Sequence, residues 1–312
     1  MINGVDHIGI GVQNIDESLK FYRDFLGFNN VVFDYKGELP GLNQVVGRDD
    51  NRARIVMLAH ENVSPVAQGM IKLVQLLPPN KPNRPDIKYE WGSICIAEVC
   101  MNVKNIEEIY RIATEEKGFE QVLSPAYAVC PPDNEECKFA YIRDPEGILI
   151  EFIEWQMYRG FGGKPRIEAV NHIGIGVKDL DKSMAFYKDV LGFKEEVIGY
   201  TARMDSMAPM LPSPTPTMKV KIITNKFKGV WIEAYQPLPP FKPATPVKRW
   251  GDIGHMEFAI NVSNIENVHD ELRKRSVHFL CAPQTVDFPK ASQWKYAYLA
   301  DPDGFLVSLV EY

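Results

Sequence analysis

The sequence predicts an α+β protein of four β-α-β-β-β modules arranged as two tandem halves, and three observations carry that prediction. The run Val5-Asp6-His7-Ile8-Gly9-Ile10-Gly11-Val12 returns as Val170-Asn171-His172-Ile173-Gly174-Ile175-Gly176-Val177, changed only at the residue before the histidine. Each copy leads into a helical pattern that closes on Leu-Gly-Phe, at Leu26-Gly27-Phe28 and Leu191-Gly192-Phe193. Each half then ends on a turn and an apolar strand, with Asp144-Pro145-Glu146-Gly147 in one and Asp301-Pro302-Asp303-Gly304 in the other. Self-similarity on this scale marks a duplicated chain.

The elements follow in order. Residues 5–12 alternate as a strand whose glycines permit close backbone approach. Asn14 caps a helix with Ile15, Leu19, Tyr22 and Leu26 on its apolar face, and Gly27 ends it. Short β-like runs fill residues 28–77, notably 53–60 and 70–77. The proline-rich stretch 78–85 suits an extended linker and neither a helix nor a central strand. After Trp91-Gly92 the grammar repeats as a strand at 94–103, a helix at 106–116, and strands at 139–143 and 148–153 around the first Asp-Pro turn.

The halves are residues 1–155 and 167–312, joined by residues 156–166 with their Gly160-Phe161-Gly162-Gly163. In the second half a strand at 167–177 and a helix at 180–191 precede strands at 219–224 and 230–236. A second proline-rich linker, 237–246, leads to Trp250-Gly251, a strand at 254–262, a helix at 265–275, and strands at 296–300 and 305–311. The insert 205–217, rich in Met and Pro, has no regular period and reads as a loop, a candidate lid over an apolar ligand.

A chain of 312 residues holds two domains, each large enough for its own core. Its net charge of −6 offers no basic field to a nucleic-acid backbone. No long uncharged apolar run occurs and the chain enters a strand almost at once, so neither a membrane span nor a leader is expected. Five cysteines, an odd number without Cys-x-x-Cys, fit a reducing cytoplasmic setting better than a disulfide framework. Cys130 and Cys137 flank a loop and could pair, although free thiols are the favoured reading. The expected partner is a small molecule.

Taken together, the His-Ile-Gly-Ile-Gly-Val strands, the helices ending in Leu-Gly-Phe and the Asp-Pro-(Glu/Asp)-Gly turns resemble the vicinal oxygen chelate superfamily. That group includes glyoxalase I, methylmalonyl-CoA epimerase, extradiol dioxygenases and metal-free bleomycin-resistance proteins. The resemblance covers both halves almost end to end. It implies modules paired so that their sheets form cups, two glyoxalase-like cups in this chain. In the family's metal enzymes a divalent ion sits at the base of the cup, held by His, Glu or Gln, His, and Glu.

Carried over position by position, the first half offers His7, Lys72, Ile96 and Glu151. An isoleucine has no ligand atom and an ammonium repels a cation. This half has therefore lost its metal, or Lys72 has replaced the ion by pairing with Glu151. The second half offers His172, Glu233, His255 and Ser308. His172, Glu233 and His255 suit one divalent ion, whether Fe, Zn, Mn, Co or Ni, and Ser308 leaves room for water or substrate. Sequential pairing of modules puts those three ligands in one cup. Crosswise pairing brings His172 and Glu233 to Glu151, and His7 and Lys72 to His255 and Ser308. Short connections favour the sequential arrangement, and both keep His172 with Glu233.

Plainer readings apply to other residues. A histidine on an apolar strand is more often a hydrogen-bonded core residue than a ligand, and His7 keeps that reading. His60, His269 and His278 read as surface or local structure. Glu257 shares a strand face with His255, but Glu98 holds the same place in the other half, which argues for a structural role or a solvated rim. Arg203 and Tyr200 stand near the insert as candidate grips on an anionic or carbonyl group. Trp231, Trp250 and Trp294 read as packing.

The resemblance implies a metal enzyme that chelates neighbouring oxygens of a small carbonyl compound and removes an adjacent proton, giving isomerisation, epimerisation or elimination. Glu233 is the candidate base, shared with Glu151 under crosswise pairing. The alternatives are an iron dioxygenase acting on a catecholic or α-keto-acid substrate, and a non-enzymatic binding or resistance protein. Four modules already reproduce the two-subunit assembly of shorter relatives, so the chain is expected as a monomer or a homodimer.

Overall fold

Among the described residues, segments in which apolar residues alternate or run together form sixteen strands, and these gather into two sheets of eight. The structure is a computed structural model that describes residues 1–47, 51–84, 91–131, 134–211, 214–226, 229–239, 243, 249–289, 291 and 293–312. Parts of both proline-rich linkers and the side chains of Arg159, His255 and Met256 lie outside the described residues. The first module carries β1 (Ile2–Gly11), β2 (Asn30–Gly37), β3 (Ala53–Ala59) and β4 (Met70–Leu76). The second carries β5 (Ile96–Lys104), β6 (Glu120–Cys130), β7 (Glu135–Arg143) and β8 (Leu149–Trp155). The third carries β9 (Arg166–Gly176), β10 (Glu195–Arg203), β11 (Thr217–Thr224) and β12 (Trp231–Pro237). The fourth carries β13 (Gly254–Val262), β14 (Phe279–Asp287), β15 (Gln293–Ala300) and β16 (Leu306–Glu311).

One sheet runs β14-β15-β16-β13-β1-β4-β3-β2 and the other β10-β11-β12-β9-β5-β8-β7-β6. The first module thus pairs with the fourth and the second with the third, which corrects the expectation of sequential pairing. The short-connection rule still holds when applied to modules rather than halves. Residues 156–165 between β8 and β9 form a shorter link than residues 77–95 or 238–253, and β9 lies antiparallel beside β5. Neither sheet respects the boundary between the halves, although the sequence repeat does.

Asn14 caps the first helix, Ile15–Tyr22, by accepting from the backbone N–H groups of Asp16 and Glu17. Leu26 packs in the core just beyond that helix, and Gly27 turns the chain at φ 89°. The helices expected at 106–116 and 180–191 begin as α-helix, Ile106–Arg111 and Leu180–Ala185. Each continues as a π-helical turn, Ile112–Glu116 and Phe186–Val190. Edge strands β2, β6, β10 and β14 are only partly buried, so their sequences carry a weak strand signal.

A central core joins the helices to one face of each sheet, and each opposite face has a separate apolar cluster of its own. In the cup of the first and fourth modules that cluster is filled. Leu39, Leu42, Val45 and Val46, the last two on the short helix Asn43–Val46, pack with Phe33, Phe288 and Trp294. The cup of the second and third modules is covered by the Met-rich insert, where Asp205–Met210 forms a 3₁₀ turn with Met207 buried. A cavity remains beneath it. Among the described residues no helix is long and apolar enough to cross a membrane.

Candidate metal centre in the open cup

The two central strands of the open cup set the site. The register pairs Cys100 with His172 and Glu98 with Gly174 across β5 and β9. It pairs Glu233 with Gly174 across β12 and β9, and Cys100 with Glu151 across β5 and β8. Side chains of Glu98, Glu151, His172 and Glu233 converge, with one potential ligand atom from each lying within 4.8 Å of all the others, and all four are buried. Cys100 completes a second overlapping group with Glu151 and His172.

The glycines of the repeated strand make room for this cluster. A Cβ at Gly174 would fall 2.6 Å from Glu98 Cγ, and one at Gly9 would fall 2.5 Å from Glu257 Cγ. Only glycine lets a buried glutamate lie flat against the neighbouring backbone at these positions. Glu98 is fully buried, not part of a solvated rim. Trp91 Nε1–H donates to its Oε1 at 2.9 Å, and Tyr141 also hydrogen-bonds it. Burial, and then the carboxylates of Glu151 and Glu233, push the Glu98 carboxyl well above its ordinary range.

The residue before the histidine sets the ring's chemistry. The Asn171 side chain donates through Nδ2 to the Val66 carbonyl at 2.8 Å, which turns its Oδ1 toward His172 Nδ1 at 2.7 Å. That oxygen is an acceptor, so Nδ1 carries the hydrogen and Nε2 faces the cluster. Nε2 lies 2.9 Å from Glu151 Oε2 and 3.3 Å from Glu233 Oε2. A lone pair aimed at two carboxylates is tolerated only with a proton or a cation between them. Burial pulls the imidazole pKa down, but Cys100 and Glu151 pull it up harder, and the result stands well above its ordinary value. Burial, then Glu151, raises the Cys100 thiol.

The filled cup repeats this layout with the charge replaced. Lys72 pairs with Gly9 across β4 and β1, as Glu233 does with Gly174. Ser308 on β16 takes the place of Glu151, and Ala259 that of Cys100. The Lys72 ammonium forms a buried ion pair with Glu257, the counterpart of Glu98. Lys72 therefore substitutes for a cation, but its partner is Glu257 and not Glu151. His7 is held through Nδ1 by Asp6 at 2.7 Å. Burial, then Lys72, lowers its pKa. The same place in the fold takes a positive charge in the filled cup and gathers carboxylates in the open one.

These observations fit a divalent ion in the open cup. Glu151 Oε2 and His172 Nε2 are buried, 2.9 Å apart, with no hydrogen-bond partner outside the cluster among the described residues, and the donor set of three carboxylates and one imidazole suits a hard or borderline cation.

Residues singled out from the sequence fall on both sides of the molecule. His172, Glu233 and Glu151 come together, and Tyr200 lines the cavity above them. His255 does not join them. Its backbone pairs with Ile10 in the other sheet, while its side chain lies outside the described residues. Ser308 is buried in that same sheet. The Arg203 side chain is exposed and pairs with Asp205 at 2.6 Å. His60 is a local structural residue, its Nε2 2.9 Å from the Leu26 carbonyl. Glu98 and Cys100 were missed as site residues. The alignment of Trp-Gly pairs gave Ile96, but a bulge between Ile96 and Glu98 puts these two residues on opposite faces, so Glu98 and not Ile96 faces the cluster. The signal available was a glutamate inside the apolar run 94–103.

Two cups built from paired β-α-β-β-β modules, one bearing a buried cluster of ligand atoms, define a tandem chelate-type protein. The chain belongs to the glyoxalase/bleomycin resistance protein/dioxygenase superfamily, whose family model matches residues 4–152 and 169–309. Among solved structures it is similar to glyoxalase I from Zea mays, with a TM-score of 0.59 and 14% identity over 98% of this chain and 92% of that one. A single-residue variant of the maize enzyme gives a TM-score of 0.61 and 16% identity, over 98% and 92%. A proposed dioxygenase from Bacillus subtilis gives 0.59 and 14%, over 99% and 85%. Comparison with curated proteins gave no match.

Proposed function

We propose that this protein is a divalent-metal-dependent enzyme that binds a small carbonyl compound through neighbouring oxygens and moves a proton on the adjacent carbon. The observation that carries this reading is the convergence of Glu98, Glu151, His172 and Glu233, the last three lining a cavity. These four residues would hold the ion, and the bound ion would polarise the carbonyl and stabilise the enolate charge. Glu233 and Glu151 border that cavity and are the candidate bases. The ion's acid and base neighbours sit beneath apolar walls of Phe139, Ile153, Ile198 and Met207, so water is kept from the reacting carbon. With about 80 Å³ of free space, the ligand is a molecule of a few heavy atoms unless the Met207 turn moves aside.

A dioxygenase is less well supported, because the described cluster has one imidazole and not the two histidines of a facial triad. A binding or resistance protein requires the cluster to hold no metal. An odd number of cysteines, five, without Cys-x-x-Cys favours a reducing cytoplasm. A small molecule is the proposed partner, and the assembly is proposed as a monomer or a homodimer.

Elemental analysis of protein purified without chelator tests the metal, with stoichiometric metal expected and its loss in His172→Ala. Stoichiometric metal that survives that substitution would remove the assignment, and no metal at all would favour the binding reading. Candidate α-hydroxy ketones and α-oxo acids are then followed for solvent-deuterium incorporation. Oxygen uptake with catechols in its place would favour the dioxygenase.

A further inference from the structure

We propose that Cys130 and Cys137 form a reversible disulfide in the wall of the open cup, a thiol modification site facing the same cavity as the candidate metal centre. The two Sγ atoms lie 3.8 Å apart. Cys137 on β7 pairs with Ala128 on β6, and Cys130 lies two residues further along that strand. Alternation puts 128 and 130 on one face, and both cysteines line the cavity with Glu151, His172 and Glu233. Closing the gap to the ~2.05 Å of a disulfide takes a small shift at the end of a hairpin.

The filled cup shows that these positions are not interchangeable packing. The register places Trp294 opposite Val286 on β15 and β14, as Cys137 stands opposite Ala128. Trp294 is thus the counterpart of Cys137, and Phe288, two residues past Val286, is the counterpart of Cys130. In that cup the two aromatic rings pack against each other at 5.8 Å and fill the space. In the open cup two thiols stand there and leave the cavity clear.

The pair has an attacking and a resolving member. Cys130 is partly exposed, and the hydrogen bond from Cys137 lowers its thiol pKa. Cys137 is buried, and its neighbour Cys130, then burial, raise it. The oxidant is a low-molecular-weight disulfide such as oxidised glutathione. The Cys130 thiolate attacks one of its sulfurs, forms a mixed disulfide and releases one thiolate. Cys137 then gives up its proton and attacks Cys130 Sγ, releasing the second thiolate. Two protein thiols lose two electrons and one small disulfide gains them. A dithiol reverses the reaction. Cys95, Cys100 and Cys281 are buried and stand in no disulfide, and none of them lines this cavity.

The test equilibrates the folded, reduced chain with glutathione buffers of rising oxidised fraction, followed by alkylation, intact mass and peptide mapping. Free thiols should fall from five to three in one step, with a 130–137 cross-linked peptide. Cys137→Ser should stop at a glutathione adduct on Cys130, and Cys130→Ser should form neither adduct nor link. Five thiols persisting across the series overturn the proposal. So does a stable adduct in the unsubstituted chain, or a link through any other cysteine.

Discussion

Asn171 should control the affinity of the candidate centre without contacting any ligand held there. It is fully buried and makes two hydrogen bonds, accepting from His172 Nδ1 at 2.7 Å and donating to the Val66 carbonyl at 2.8 Å. Asn171→Leu keeps much of the volume but leaves a ring N–H and a backbone carbonyl buried without partners. At ~1–3 kcal/mol for each orphaned group, stability should fall by roughly 2–5 kcal/mol. The imidazole also loses what fixes its tautomer and orientation, and such losses weaken metal binding by about 10–100-fold. Asn171→Asp separates the two effects. It keeps an acceptor for Nδ1, as Asp6 does for His7 in the other cup, but turns the donor toward Val66 into a second acceptor. Metal affinity should stay within a few fold of wild type while stability falls. Calorimetric titration with Mn(II) and Zn(II), beside urea unfolding of each metal-free variant, reads both quantities. A leucine variant that binds metal as tightly as wild type would refute the reasoning, and so would equal weakening by leucine and aspartate.

The filled cup offers a double-mutant cycle. Lys72→Met should cost about 3–5 kcal/mol because it strands the Glu257 carboxylate, which has no solvent exposure. Adding Glu257→Gln should recover most of that loss in chemical denaturation, and additive costs would mean that the pair is not coupled. The two Asp-Pro turns give a pH signature. Burial raises Asp144 from its ordinary 3.8 to about 7 and Asp301 to about 6, even though each accepts a tyrosine hydroxyl and backbone N–H groups. A carboxyl raised on folding binds its proton more tightly in the folded chain. Its stabilisation is therefore complete below about pH 4 and is lost as pH rises through about 6–7. For Asp144 the rise from 3.8 to about 7 corresponds to about 4 kcal/mol at most. Unfolding free energies measured from pH 4 to 8 should fall along this window, and Asp144→Asn should flatten the decline. An unchanged slope in that variant would place the titration elsewhere.

The sequence by itself determined the duplication, the family and the module grammar, and it named His172, Glu233 and Glu151 as candidates. These are local properties. A strand's apolar alternation, a helix cap at Asn14 and an αL glycine at Gly27 are written within a few residues and do not depend on what lies opposite. His172, Glu233 and Glu151 could be carried over because each sits at a fixed offset from such a marker.

Tertiary structure alone decided which modules share a cup, because strand pairing is set between segments far apart in the chain, and both pairings satisfy the same hydrophobic pattern. That choice brought Glu151 to His172 and placed β13, with His255, in the other sheet. The bulge in β5 was equally hidden. One extra residue reverses which side chains face inward, so Glu98 entered the cluster and Ile96 joined the helix-side core. The Asp6-to-Asn171 change was visible as the lone difference in the repeat. Its meaning needed the Val66 carbonyl, more than a hundred residues away, to orient the amide.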